Sequence, residues 1–297
     1  MGFRELEYIT AIERYHNITR AAEALYISQP TLSKFLQSYE RDLGLRLFER
    51  NGNRYCLTYA GERYLSYAQQ ILLLQRDMEK ELGDLAANRR GRLSIGYQMN
   101  RSAYAVPLTV PRFKAEYPNV DINIQERSSE TLEKMLLDGQ LDIVVFNYPG
   151  RNALLDYEVI DQEELLLCVH AVKAENHRHP YMDLALFAKE PFILQHSDQT
   201  TGRAAREILA KLGLMPPVVL KTRNIESTVR LVEAEVGCSF VIESGLLRAS
   251  NMLSNVRCFS IGQDSRIDLV VARRKRDYLS RHTQSYIQIL RESIRQG

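Results

Sequence analysis

At 297 residues, 45% of them apolar and 26% charged, the chain suits two or three domains and has the composition of an ordinary globular protein. A formal charge of +2 excludes a global pull toward nucleic acid or membrane, so a charged partner must be met by a local patch. There is no run of about 18 apolar residues to cross a bilayer. The charged opening MGFRELEYIT lacks a signal peptide's apolar stretch, so a cytoplasmic setting is expected.

The first ninety residues read almost wholly as helix, interrupted once at FERNGNRYCLT. Within ITRAAEALYISQPTLSKFLQSYERDLG, two helical patterns are broken at YISQP. Asn17 or Thr19 caps the first, Ser28 caps the second, and Pro30 falls early enough that its missing N–H costs nothing. Two short helices joined by a tight turn make a helix-turn-helix. The second helix carries Leu32, Phe35 and Leu36 on one face and Gln29, Ser33, Lys34 and Gln37 on another. Packing accounts for the apolar stripe alone. The polar stripe suits a helix lying in the DNA major groove: Gln29 offers an amide to adenine, Ser33 a hydroxyl to base or phosphate, and Lys34 a charge to phosphate or guanine. In LRLFERNGNRY, Asn51-Gly52 favours a tight hairpin, and Arg46, Arg50 and Arg54 outnumber Glu49.

Tyr64, Ala68, Ile71, Gln75, Met78, Leu82 and Leu85 then recur at alternating steps of four and three, an a/d seam expected to pair with a second copy. AANRRGR ends the pattern as a hinge. Beyond it, RLSIGY, VDINIQ, LDIVVF, ELLLCVH, PFILQ, PVVLKT, CSFVIE, VRCFSI and IDLVVA read as strands between helical runs, an α/β pattern. Cys56, Cys168, Cys238 and Cys258 are widely spaced without a C-x-x-C pair, so reduced, partly buried thiols are expected rather than a zinc site or disulfide framework. His177 and His179 in NHRHP read as a solvated loop, and Arg273, Arg274, Lys275 and Arg276 as a solvated strand end.

The composite Ala21-Ala22-Leu25, Ser28-Gln29-Pro30-Leu32-Ser33, Leu45-Leu47-Phe48-Arg50 and Leu57-Thr58-Ala60-Gly61 resembles the DNA-binding domain of LysR-type transcriptional regulators, in order and spacing. Lys34 stands where that family usually has Arg, and Tyr59 where it usually has an acidic residue. The resemblance, weaker along the rest of the chain, implies an α+β multi-domain protein. Residues 1–58 would form a winged helix-turn-helix and 59–92 a dimerising linker helix and hinge. Residues 93–297 would form a two-lobed α/β effector domain like periplasmic binding proteins, with lobe I at 93–161 and 266–297 and lobe II at 162–265. Glu235 and Ile242 replace the family's usual Gly and Pro, so no binding role is carried onto that strand.

The implied function is regulation of transcription by a homodimer or homotetramer on an interrupted dyad of double-stranded DNA, with RNA polymerase as a further partner. The expected DNA surface is Thr19, Ser28, Gln29, Pro30, Thr31, Ser33, Lys34, Gln37, Arg50 and Arg54. Ligands in such folds sit where strand ends meet helix N-termini. That places Asn100, Arg101, Ser102, Ser128, Ser129, Phe146, Asn147, Thr200 and Thr201 at the effector cleft. Hydroxyls beside free N–H groups, with Arg101 near, suit a small organic anion. An enzyme is disfavoured, since the chain has no G-x-S-x-G, Gly-rich phosphate loop or metal-spaced cluster, and no cofactor is expected. A third reading makes Cys238 and Cys258 a redox switch.

Overall fold

The computed structural model describes residues 2–52, 54–85, 91–98, 101–148, 150, 152–175, 177–243, 255–262, 265–275 and 277–296. They form two compact units, Met1–Ala87 and Asn88–Gly297.

The first unit runs α1 (Phe3–Tyr15), α2 (Ile18–Ala24), α3 (Gln29–Leu43), β1 (Phe48–Asn51), β2 (Arg54–Leu57) and α4 (Tyr59–Leu85). Its core gathers Ile9, Ile12, Ala21, Ala22, Leu32, Leu36 and Leu47. Ala21 and Ala22 are small enough for α2 to lie close against α3. Asn17, not Thr19, caps α2, accepting from the backbone N–H of Thr19 and Arg20. Ser28 caps α3 as expected. β1 and β2 form the antiparallel hairpin, with Gly52 at its tip in the left-handed region.

Three contacts fix the hairpin to the helices. The Glu40 carboxylate accepts from the N–H groups of Leu47 and Phe48. The Thr58 hydroxyl donates to the Arg46 carbonyl and accepts from Gly61 N–H. A Cβ at Gly61 would stand 2.0 Å from the Leu47 carbonyl oxygen, so only glycine allows this approach. These contacts give physical reasons for Thr58 and Gly61 in the Leu-Thr-x-Ala-Gly run.

The α4 seam divides. Tyr64, whose hydroxyl lies 2.8 Å from that of Tyr39, and fully buried Ala68 pack within their own unit rather than on a partner. Farther along, Ile71 and Gln75 are half-buried and Met78 and Leu82 exposed, as is Leu74 beside the seam. The Leu85 side chain lies outside the described residues.

The second unit is built on β3 (Gly91–Gln98), α5 (Ser102–Glu116), β4 (Val120–Arg127), α6 (Ser129–Leu137), β5 (Ile143–Asn147), β6 (Leu155–His170), β7 (Phe192–Gln195), α7 (Thr200–Lys211), β8 (Val218–Thr222), α8 (Ile225–Glu233), β9 (Cys238–Ile242), β10 (Val256–Phe259), β11 (Arg266–Arg274) and α9 (Arg281–Gln296). The strand order is β4-β3-β5-β11-β6-β9-β7-β8, with β10 also on β6. Each expected strand is present, but β6 is far longer than ELLLCVH. Its first half pairs with β11 and its second with β9 and β10. The sheet thus carries two halves, one with cores under α5, α6 and α9, the other under α7 and α8. β6 and β11 are the strands by which the chain passes between them.

Three expectations need correction. Cys168 and Cys258 are joined in a disulfide, not reduced. They stand directly opposite on antiparallel β6 and β10, a register that a sequence separation of 90 conceals. Cys238, assigned to the redox pair in the third reading, is a free, buried thiol. Burial pushes its pKa up to about 11, which keeps it protonated and inert. Finally, Arg274 is not solvated: it is buried, donating to the Leu136 and Leu141 carbonyls and pairing with Asp277.

Glu235, the residue in place of the family's glycine, has φ +60°. A side chain there costs about 1–2 kcal/mol, partly offset by the extra chain entropy of glycine when unfolded. Glu235→Gly is expected to raise stability by about 0.5–1 kcal/mol, measured as a higher urea midpoint at unchanged slope. A lower midpoint would show that the contact of Glu235 with His170, at 3.9 Å, outweighs the backbone strain.

Candidate nucleic-acid interface and effector cleft

In the first unit, Leu32 and Leu36 hold α3 in the core while Pro30, Thr31, Lys34 and Gln37 are exposed and Gln29 and Ser33 half-buried. A helix so placed offers its polar stripe outward. Thr19 at the start of α2 and Arg50 and Arg54 on the hairpin are also exposed. Two of these side chains are already engaged. The Ser28 hydroxyl caps α3 through Thr31 N–H and lies 2.7 Å from the Thr31 hydroxyl. The Arg50 guanidinium lies 5.2 Å from the centre of the Tyr55 ring, which orients it along the hairpin. Gln29, Ser33, Lys34 and Gln37 have a spacing that puts them on successive turns of one helix.

In the second unit, Asn100 lies outside the described residues. Arg101, buried before α5, donates to the Glu163 carboxylate through both terminal nitrogens, at 3.2 and 2.6 Å, and to the Asn147 side-chain oxygen at 3.0 Å. Asn147 in turn donates to Glu163 through its side-chain amide and to the Gln98 side chain through its backbone N–H. The expectation of Arg101 as an open grip for an anion is therefore corrected: its charge is already matched by Glu163. Ser102 donates from its backbone N–H and its hydroxyl to Glu126. The Ser128 hydroxyl caps α6 by accepting from Thr131 N–H, whereas Ser129 is buried. Its hydroxyl lies 3.4 Å from that of buried Thr200 at the start of α7, so two helix N-termini from the two halves of the sheet meet there. Thr201 is buried beside it. Phe146 is also corrected. It packs wholly in the core with Leu132 and Leu136, since alternation along β5 turns Asn147 to the Arg101 side and Phe146 away.

Next to Thr200 opens a cavity of about 600 Å³, lined among others by Tyr148, Gln162, Arg203, Arg266 and Asp268. That volume lies within the usual range for small-molecule sites. Sequence reasoning missed Gln98, Glu126 and Glu163. A glutamate opening an apolar strand is a weak signal, and its partner lies 62 residues away. Among the described residues no three His, Cys, Asp or Glu are placed to hold a metal. His177 and His179 instead hydrogen-bond the Tyr181 backbone. No described helix is long and apolar enough to cross a membrane.

A winged helix-turn-helix followed by a two-halved α/β unit with a cavity beside the start of α7 defines a DNA-binding regulator with a ligand-binding domain. The model of the bacterial regulatory helix-turn-helix protein, lysR family, matches residues 3–62, and that of the LysR substrate binding domain matches residues 86–295. The chain is 28% identical to an uncharacterized HTH-type transcriptional regulator, YcgK of Bacillus subtilis, over all of this chain and 96% of that protein. In fold it is similar to a full-length OxyR variant from Pseudomonas aeruginosa (TM-score 0.75, 21% identity, 99% of this chain and 95% of that one). It is likewise similar to full-length CbnR in a complex with its target DNA (TM-score 0.63, 22% identity, 99% and 100%). The chain belongs to the LysR family of transcriptional regulators.

Proposed function

We propose that a homodimer or homotetramer of this chain binds an interrupted dyad of double-stranded DNA through Thr19, Ser28, Gln29, Pro30, Thr31, Ser33, Lys34, Gln37, Arg50 and Arg54, acting in the cytoplasm. The exposed Leu74, Met78 and Leu82 on α4 support pairing with a second copy, because one helix cannot cover them. A small organic anion enters the cleft of the second unit, contacts Ser129, Thr200 and Thr201 with Ser102, Ser128 and Asn147 nearby, and alters DNA binding or bending. RNA polymerase is the further partner this reading adds. Arg101 takes part only by exchanging Glu163 for the ligand.

The observation that carries the ligand reading is the meeting of the α6 and α7 N-termini at Ser129 and Thr200 beside a cavity. Their dipoles, and on α7 a first turn that no side chain caps, favour negative charge. A thermal-shift screen of small organic acids against the full chain tests it. A ligand at a hundred times its Kd contributes about 2.7 kcal/mol, which is about 5–10 °C in melting temperature for a unit of this size. Thr200→Val together with Ser129→Ala is expected to abolish the shift. A shift that survives both substitutions places the ligand elsewhere. On DNA, a footprint lacking dyad-related protection counts against the oligomer.

A further inference from the structure

We propose that Cys168 and Cys258 form a reversible dithiol–disulfide pair that gives the effector domain a second, oxidative input, independent of any ligand in the cleft. Three observations place the pair where it matters. Cys168 lies on β6 and Cys258 on β10, opposite one another with Cα atoms 4.2 Å apart. β10 and β11 run antiparallel to β6 on its same side, because Cys168 also pairs with Ser239 of β9 and so has β9 on its other side. Between β10 and β11 the chain leaves β6, and there the Ser260 and Ser265 hydroxyls donate to Glu164. The bridge therefore pins together the outgoing and returning strands, a few residues beyond the point where they pass between the two halves of the domain.

Without the bridge, β10 is held to β6 by four paired residues, Val256–Phe259. So short a strand at the rim of a sheet opens easily. The bridge removes that freedom and fixes the strand crossing.

The pair is asymmetric in access. Cys168 is fully buried under α8 with Val229 and Val241, while Cys258 is half-buried. A hydroperoxide meets Cys258 first. Its thiolate attacks the peroxide oxygen, giving the sulfenic acid and releasing the alcohol or water. The Cys168 thiol then displaces the sulfenic hydroxyl as water, closing the S–S bond. Two thiols lose two electrons and two protons to one peroxide. A dithiol restores both thiols by exchange, attacking at the accessible Cys258 sulfur. Cys238, buried and held protonated, takes no part.

The test uses the full chain, reduced with dithiothreitol, freed of it, exposed to a modest excess of hydrogen peroxide, and then alkylated and mapped by mass spectrometry. The expected result is loss of alkylation at Cys168 and Cys258 together, with one cross-linked peptide pair two hydrogens lighter. Cys56 and Cys238 stay labelled, and dithiothreitol applied to the folded protein reverses the change. Closing a loop of 90 residues is expected to raise the melting temperature by about 5–10 °C. Hydrogen exchange should slow at 165–170 and 256–259. Cys258→Ser removes the cross-link and the shift, and Cys238→Ser leaves both. Thiols that stay free under peroxide overturn the proposal, as does a bridge that involves another cysteine. A bridge that resists dithiothreitol until the protein unfolds is a permanent staple and overturns it equally, as does exchange that is the same in both states.

Discussion

Replacing Gln29 and Ser33 together by alanine is expected to lower affinity for the cognate dyad by about 10–100-fold per subunit while leaving the fold intact. The energetic basis is the amide: a well-placed glutamine on adenine discriminates by about 1–3 kcal/mol, and a serine hydroxyl adds less. Stability should hardly change, because Leu32 and Leu36 carry the packing of α3 and neither replaced side chain belongs to the core of that unit. Non-specific binding should also persist, since it is set by counterions released from phosphates. The control is Lys34→Ala, a change in charge on the same face. It should weaken binding to all sequences alike and reduce the salt slope by about one. Fluorescence anisotropy on cognate and scrambled duplexes at two salt concentrations separates the two patterns. If the double variant keeps its preference for the cognate sequence, α3 is not the element that reads bases.

How much of this was readable in the sequence depended on how local the cause was. The helix-turn-helix was legible because caps, turn and stripe all fall within about 27 residues, and each follows from neighbours along the chain. The strands of the second unit were legible as apolar runs. The length of β6 was not, because DYEV and DQE look like loop until β11 is known to lie beside them. Phe146 and Asn147 were adjacent candidates, and only the strand's alternation assigns one to the core and the other to the Arg101–Glu163 pair. The disulfide and the Arg101–Glu163 pair were hidden for a shared reason: both join residues far apart in sequence, at separations of 90 and 62. Glu235 shows the opposite case. A departure from a family pattern was visible in the letters, and the backbone explains it as a left-handed position occupied at a cost.

The Arg101–Glu163 pair carries the largest expected effect on stability and offers a test of the proposed charge of the ligand. Both side chains are about 94% removed from solvent, with 7% and 6% exposed. Arg101→Met strips the Glu163 carboxylate of its counter-charge inside the domain and is expected to cost about 3–5 kcal/mol, a large share of a typical domain's stability. Adding Glu163→Leu removes the buried charge as well and should restore most of the loss, because desolvation of the pair nearly cancels its attraction. Urea unfolding of the two single variants and the double variant gives the coupling directly, and additive losses would mean that the pair does not act as a unit. Glu163→Gln has a different use. It keeps hydrogen-bonding capacity toward Arg101 and Asn147 but removes the carboxylate charge that faces the guanidinium. An anionic effector no longer has to displace a carboxylate, so its affinity is expected to rise about tenfold or more at some expense of stability. A fall in affinity for the same acid would mean that Glu163 itself meets the ligand, and that the cleft selects a group able to donate to a carboxylate.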